Sequence, residues 1–152
     1  MDVTLQIFSE KAHALALAPE LEAHAGEISG EYRLDPLPAG TCVGLVERHW
    51  GQPQTVVAIA RTAEGERLAA CVTVPLEDPL SGEKVPIVVL LEVHPDYRHR
   101  GLARSLVGAV RTELESRGEQ RIAARAAHND DAIISMGERW GFTRVWELMV
   151  RE

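Results

Sequence analysis

The chain is poor in cysteine, and over most of its length it is poor in positive charge. Only Cys42 and Cys71 occur among 152 residues. Both have apolar or small neighbours, and no metal-ligand spacing relates them. They read as reduced, buried, structural thiols of a cytoplasmic protein, not as a disulfide framework or a metal site. No apolar run approaches the ~20 residues of a membrane span. The start, Met1-Asp2-Val3, lacks the basic region and apolar run of a secretory leader, so none is expected. The net charge of −7 argues against a general nucleic-acid binder. The histidines follow no metal-ligand pattern, so no metal is expected. No repeat and no low-complexity tract is visible. What remains is the composition of a soluble globular domain, long enough for a sizeable core.

The charge is unevenly placed. Residues 1–93 hold 6 basic and 14 acidic side chains, whereas residues 94–128 hold 7 arginines and 4 acids. Residues 129–152 are again acidic. One basic segment on an acidic body suits a polyanionic ligand bound at that segment.

Taken in order, Val3 to Phe8 suggests a strand. Leu15 to Ala25 is helix-like, with Pro19 tolerated near a helix start. Gly26 to Gly40 is rich in glycine and proline and reads as a loop. Thr41 to Trp50 suggests a short helix with Val43, Val46 and Trp50 on one face. Thr55–Arg61 and Leu68–Leu76 read as an antiparallel hairpin. Val85 to Val93 reads as a strand buried on both faces. Leu102, Leu106, Val110 and Leu114 form the apolar stripe of a helix that Gly118 ends. Ile122 to Ala127 suggests a short strand. Asn129-Asp130-Asp131 is a cap cluster opening a helix whose buried face is Ile133, Met136 and Trp140. Thr143 to Val150 suggests a last strand. The fold class is therefore α/β (α+β), a mixed sheet with helices on both faces.

The most informative stretch runs from Leu91 to Ala103. A buried strand leads into an arginine-rich turn containing Gly101, and a helix follows. The first N–H groups of a helix have no partners within it, and its dipole places positive potential there. Gly101 lets an anion approach the backbone, and Arg98, Arg100 and Arg104 add full charges. Such arginines either serve an anion or are simply solvated; spacing separates the two cases. Arg98-x-x-Gly101-x-Ala103, following Val93-x-Pro95, resembles the acyl-CoA pyrophosphate loop of the GNAT superfamily of N-acetyltransferases. That pattern is Gln/Arg-x-x-Gly-x-Gly/Ala after a strand ending Val-x-Pro, and its place between strand and helix strengthens the match.

The resemblance runs from about Thr55 to the end and implies one GNAT domain over residues 1–152. It implies a mostly antiparallel sheet with a splay between the two central strands, and acetyl-CoA as co-substrate. The pantetheine arm would pair with the backbone of Leu91, Glu92 and Val93 like an added strand. The pyrophosphate would take the amides of His99, Arg100, Gly101, Leu102, Ala103 and Arg104. Asn129 stands where the family often has a cofactor-contacting asparagine, and it could equally cap a helix. The implied activity is N-acetyl transfer to an amine of a small molecule or peptide. Neither nucleic acid nor membrane is an expected partner, and a homodimer is compatible with the pattern.

An alkylammonium, with a pKa of about 10.4, must lose a proton before it attacks, whereas a thiolate of pKa about 8.5 leaves tolerably well. Glu92 is the one ionisable side chain of its strand and is placed to draw that proton, directly or through water. The alternative for Glu92 is a solvent-facing end of strand. His94 and His128 are further base candidates. The family often carries a tyrosine acid seven residues after its asparagine, and here that position is Met136. A catalytically silent acyl-CoA-binding module is therefore the second reading.

Overall fold

The computed structural model describes residues 2–32, 38–126, 130–145, 149 and 151, and for residues 23–32 the backbone only. The elements are β1 (Val3–Ile7), α1 (Lys11–Tyr32), α2 (Thr41–His49), β2 (Val56–Thr62), β3 (Arg67–Glu77), β4 (Lys84–Val93), α3 (Leu102–Ser116), β5 (Ala123–Ala124) and α4 (Asp131–Arg139), with a single 3-10 turn at Pro95–Tyr97. The strands form one sheet in the order β1-β2-β3-β4-β5. The first three joints are antiparallel and the last is parallel.

β2 shows why the sheet has two cores. Val57 and Ile59 face one side, while Val56, Ala58 and Ala60 face the other, the period-two alternation of a strand. The first side is covered by Ala14, Leu17, Ala18 and Leu21 of α1 and by Cys42 and Val46 of α2. The second is covered by Leu102, Leu106, Val107, Val110 and Leu114 of α3. Helices on both faces follow, as the sequence implies.

Two irregularities shape the edge that matters. Val72 pairs with Leu90 but Thr73 pairs with Val88, leaving Val89 as an extra residue in β4. This bulge sends both Val89 and Leu90 to the α1 side, the local re-aiming that bulges provide. Beyond it, the β4–β5 ladder holds only Ile87↔Ala123 and Val88↔Ala124. Among the described residues, Val89 to Val93 has no strand on that edge.

Several boundaries differ from expectation. α1 runs from Lys11 to Tyr32 with Pro19 in its interior, so the helix starts earlier and crosses much of the stretch read as a loop. The stripe Ala14, Leu17, Ala18 and Leu21 is fully buried against the sheet, and that packing outweighs one missing proline N–H. β5 is only Ala123–Ala124, shorter than Ile122 to Ala127. Thr143 to Val145 are not in a strand, and the rest of the expected last strand lies largely outside the described residues. No side chain of α4 is buried, and Ile133 is 44% exposed. Of the expected face, Trp140 packs against the α3-side core and Met136 is half-buried, so the apolar stripe is covered in part.

Two predictions follow from the core. Leu106 is wholly buried, so Leu106→Ala is expected to cost about 2–5 kcal/mol in urea unfolding. A loss under ~1 kcal/mol would contradict the placement of α3. Burial pushes the Cys71 thiol up to about 12, and burial together with the Glu22 carboxylate raises Cys42. Thiolate is the reactive form, and at pH 8 a thiol of pKa 12 is roughly one part in 10⁴ ionised. Native protein should therefore react with an aromatic disulfide reagent far more slowly than urea-unfolded protein, in which both thiols titrate normally.

Candidate functional site: the open edge of β4 and the turn into α3

The N–H of His94 donates to Leu68 O at 2.7 Å. Strand alternation therefore turns the backbone groups of Glu92 toward β3, opposite Ala70, and those of Leu91 and Val93 away from it. Leu91 and Val93 thus offer N–H and C=O groups at the open edge, and Glu92 does not. Val93 O also accepts from Arg98 Nε at 3.1 Å, so Arg98 braces the end of the strand as well as bringing charge.

The turn that follows is tightly built. Pro95–Tyr97 forms the 3-10 turn, and Nδ1 of His94 accepts from the Asp96 N–H at 3.2 Å. With Nδ1 engaged by that N–H, Nε2 is the ring nitrogen left for other partners. His94 meets Tyr97 edge-on at 5.6 Å, and the Arg100 guanidinium lies over the Tyr97 ring at 5.4 Å. Tyr97 itself packs against the α3-side core. An aromatic side chain thereby positions Arg100.

The backbone is left-handed at two places, His99 at φ +63° and Gly101 at φ +77°. A non-glycine residue at positive φ is uncommon, and here it turns the chain into α3. Gly101 is the N-cap and supplies no side chain to the first helical turn, which also holds no acidic residue. The first helical bond to the cap runs from Ser105 N to Gly101 O. The amides of Leu102, Ala103 and Arg104 therefore precede any acceptor within the helix. Nothing lies within 4 Å of the position a Gly101 Cβ would take. His99, Arg100, Gly101 and Arg104 are exposed, while Leu102 anchors the turn in the core. Uncapped amides, three arginines and open space suit a diphosphate. Asn129 and His128 lie outside the described residues. Asp130 is the N-cap of α4, its carboxylate accepting from Ile133 N at 3.1 Å.

The largest departure from expectation is at Glu92. Its side chain is not the isolated charge of an apolar strand. Only 8% of it is exposed, and it is ion-paired with the Arg67 guanidinium of β3, whose Nε reaches Glu20 of α1 at 3.2 Å. The three groups form a chain of charges from α1 across β3 to β4, on the face that α1 and α2 cover. Arg67 and Glu20 were missed because the hairpin register and the length of α1, rather than any local motif, bring them to Glu92. Among the described residues no group of three or more His, Cys, Asp or Glu side chains could hold a metal ion, and no helix is long and apolar enough to cross a membrane.

Residues 20–142 match the model of the acetyltransferase (GNAT) family. Acetyltransferase SG1711 of Sodalis glossinidius is 43% identical over 49 residues, which are 32% of this chain and 34% of that protein. The matched stretch thus spans about a third of that relative's length. Among solved structures, the aminoglycoside N-acetyltransferase AAC(6')-Iy in complex with CoA superposes with a TM-score of 0.72 at 16% identity, covering 100% of this chain and 96% of that one. A ribosomal-protein-alanine N-acetyltransferase from Brucella melitensis biovar Abortus 2308 gives 0.69 at 18% identity, covering 100% and 99%. At such identity the structures speak for the fold.

Proposed function

The chain belongs to the acetyltransferase (GNAT) family, and on that premise we propose that it transfers an acetyl group from acetyl-CoA to the primary amine of a small molecule or peptide. The observation that carries this reading is the open edge of β4 continuing into an uncapped, arginine-lined start of α3. One extended, polyanionic ligand is served by both parts: an arm paired with the groups of Leu91 and Val93, and a diphosphate at the amides from His99 to Arg104. The relative solved with CoA and the aminoglycoside and ribosomal-protein acetyltransferases among the neighbours agree with this reading. The cytoplasm is the proposed location, in keeping with two buried, unbridged thiols.

The co-substrate supplies an acetyl thioester. The amine loses its proton, forms the C–N bond to the acetyl carbon, and the C–S bond breaks to release CoA as thiolate. Within the chain, Glu92 is the proposed residue for easing proton loss. Its backbone lies between the two open-edge residues, and its carboxylate is held by Arg67. So held, it acts most simply through a water that takes the proton from the ammonium. The position where the family often has tyrosine is Met136, half-buried on α4, so the thiolate departs without a donor from that helix. The same two features would fit a silent acyl-CoA-binding module, and release of free thiol in the presence of amines separates the two readings.

Two experiments test the assignment. Gly101→Glu places a carboxylate at the uncapped amides and should abolish calorimetric CoA binding, while Gly101→Asn, tolerated at positive φ, should retain most of it. Equal affinity in wild type and a folded Gly101→Glu would refute the site. Glu92→Gln should lower kcat/KM at neutral pH and recover partly as pH rises and free amine accumulates. Superimposable pH profiles would remove Glu92 from the mechanism.

A further inference from the structure

The three arginines of the turn into α3 are held in three different ways. Arg98 is turned back on the strand, its Nε donating to Val93 O at 3.1 Å. Arg104 stands in the first turn of α3, where side chains lean toward the start of the helix. Arg100 is held by an aromatic face, its guanidinium carbon 5.4 Å from the centroid of the Tyr97 ring. The residues on either side of Arg100, His99 and Gly101, are both left-handed, so the chain reverses around it. Tyr97 is itself fixed from two directions, by the α3-side core and by the edge contact with His94 at 5.6 Å.

A ring face holds a guanidinium without neutralising it. The N–H donors lie in the plane of the group, so stacking on Tyr97 leaves their fork for another partner. Among the described residues, no carboxylate is ion-paired with Arg98, Arg100 or Arg104. The carboxylate nearest in sequence, Asp96, is 83% exposed and lies 3.9 Å from His94 Nδ1. Arg100 thus presents a full, exposed charge on the 3-10-turn side of the helix start. The uncapped amides and Arg104 already serve a diphosphate at the start of α3. Arg100, held to one side by Tyr97, suits a further phosphate set apart from the first two.

CoA carries such a group, a monoester phosphate on its ribose. We propose that Arg100, positioned by Tyr97, reads this ribose phosphate and so selects the phosphorylated co-substrate over dephospho-CoA. This rests on the acetyl-CoA reading of the turn. A phosphate monoester holds about −1.5 to −2 charges at neutral pH, and a guanidinium fork meets two of its oxygens at once. Tyr97 touches no ligand in this arrangement; it is a positioning residue. Its ring holds the long Arg100 side chain in place beforehand, which lowers the entropy lost when the phosphate binds.

Calorimetry on the full chain compares CoA with dephospho-CoA, which differ only in that phosphate. CoA should bind roughly tenfold more tightly, the size of one partly exposed charge-assisted contact. Arg100→Gln should bring the ratio under about threefold. Tyr97→Leu should narrow it likewise, whereas Tyr97→Phe, which keeps a ring face beneath the guanidinium, should retain it. A general loss of packing weakens both ligands alike and leaves the ratio standing, so the ratio reads the phosphate contact. Arg100 is exposed, and its replacement decides the matter even where Tyr97→Leu fails to fold. Equal affinity of the wild type for the two ligands, or a ratio that Arg100→Gln or Tyr97→Leu leaves unchanged, would overturn the assignment and leave the CoA site standing. Failure of the wild type to bind either ligand would overturn both.

Discussion

Among the described residues, strand β4 is paired along one edge with β3 and along the other for two residues only. Buried backbone N–H and C=O groups need partners, so a central strand left open on one side must meet water or a ligand there. The bulge at Val89 coincides with the end of the β4–β5 ladder. It restores Leu91 and Val93 to the α3 side and Glu92 to the α1 side. Much of the site depends on that one extra residue. Without it, Glu92 would face the α3-side core, away from Glu20.

The charges around the strand end are organised on the two faces to opposite effect. On the α3 side, arginines gather at uncapped amides, and no carboxylate stands in the first helical turn. On the α1 side, Arg67 is held by both Glu20 and Glu92. One face of the strand end thus draws in a polyanion, while ion pairing on the other fixes side chains in place.

Much of the site was legible because its signals are local. The spacing from Val93 through Arg98 and Gly101 to Ala103 identified the turn, and the stripe from Leu102 to Leu114 gave the helix behind it. What was not legible depends on register and length. Glu92 stood out as a lone charge because the bulge opposite Thr73 and the antiparallel pairing that brings Arg67 near it leave no mark within its own strand. Glu20 was hidden by Pro19, which made the middle of α1 look like a beginning. That Leu91 and Val93, and not Glu92, turn their backbone groups to the open edge follows from one hydrogen bond, His94 N to Leu68 O. No composition encodes that bond.

The strand order 1-2-3-4-5 has a kinetic side. β2, β3 and β4 are sequential antiparallel neighbours joined by short turns, so they can zip from local contacts with little loop-closure entropy. β5 reaches β4 only after α3 has formed and folded back as a crossover, and its reward is two residue pairs. The joint beside the open edge is therefore a late and weak addition to an early, strongly paired meander. Native-state amide exchange concentrates in such places. A ligand strand laid along β4 would close the region that folding leaves least finished.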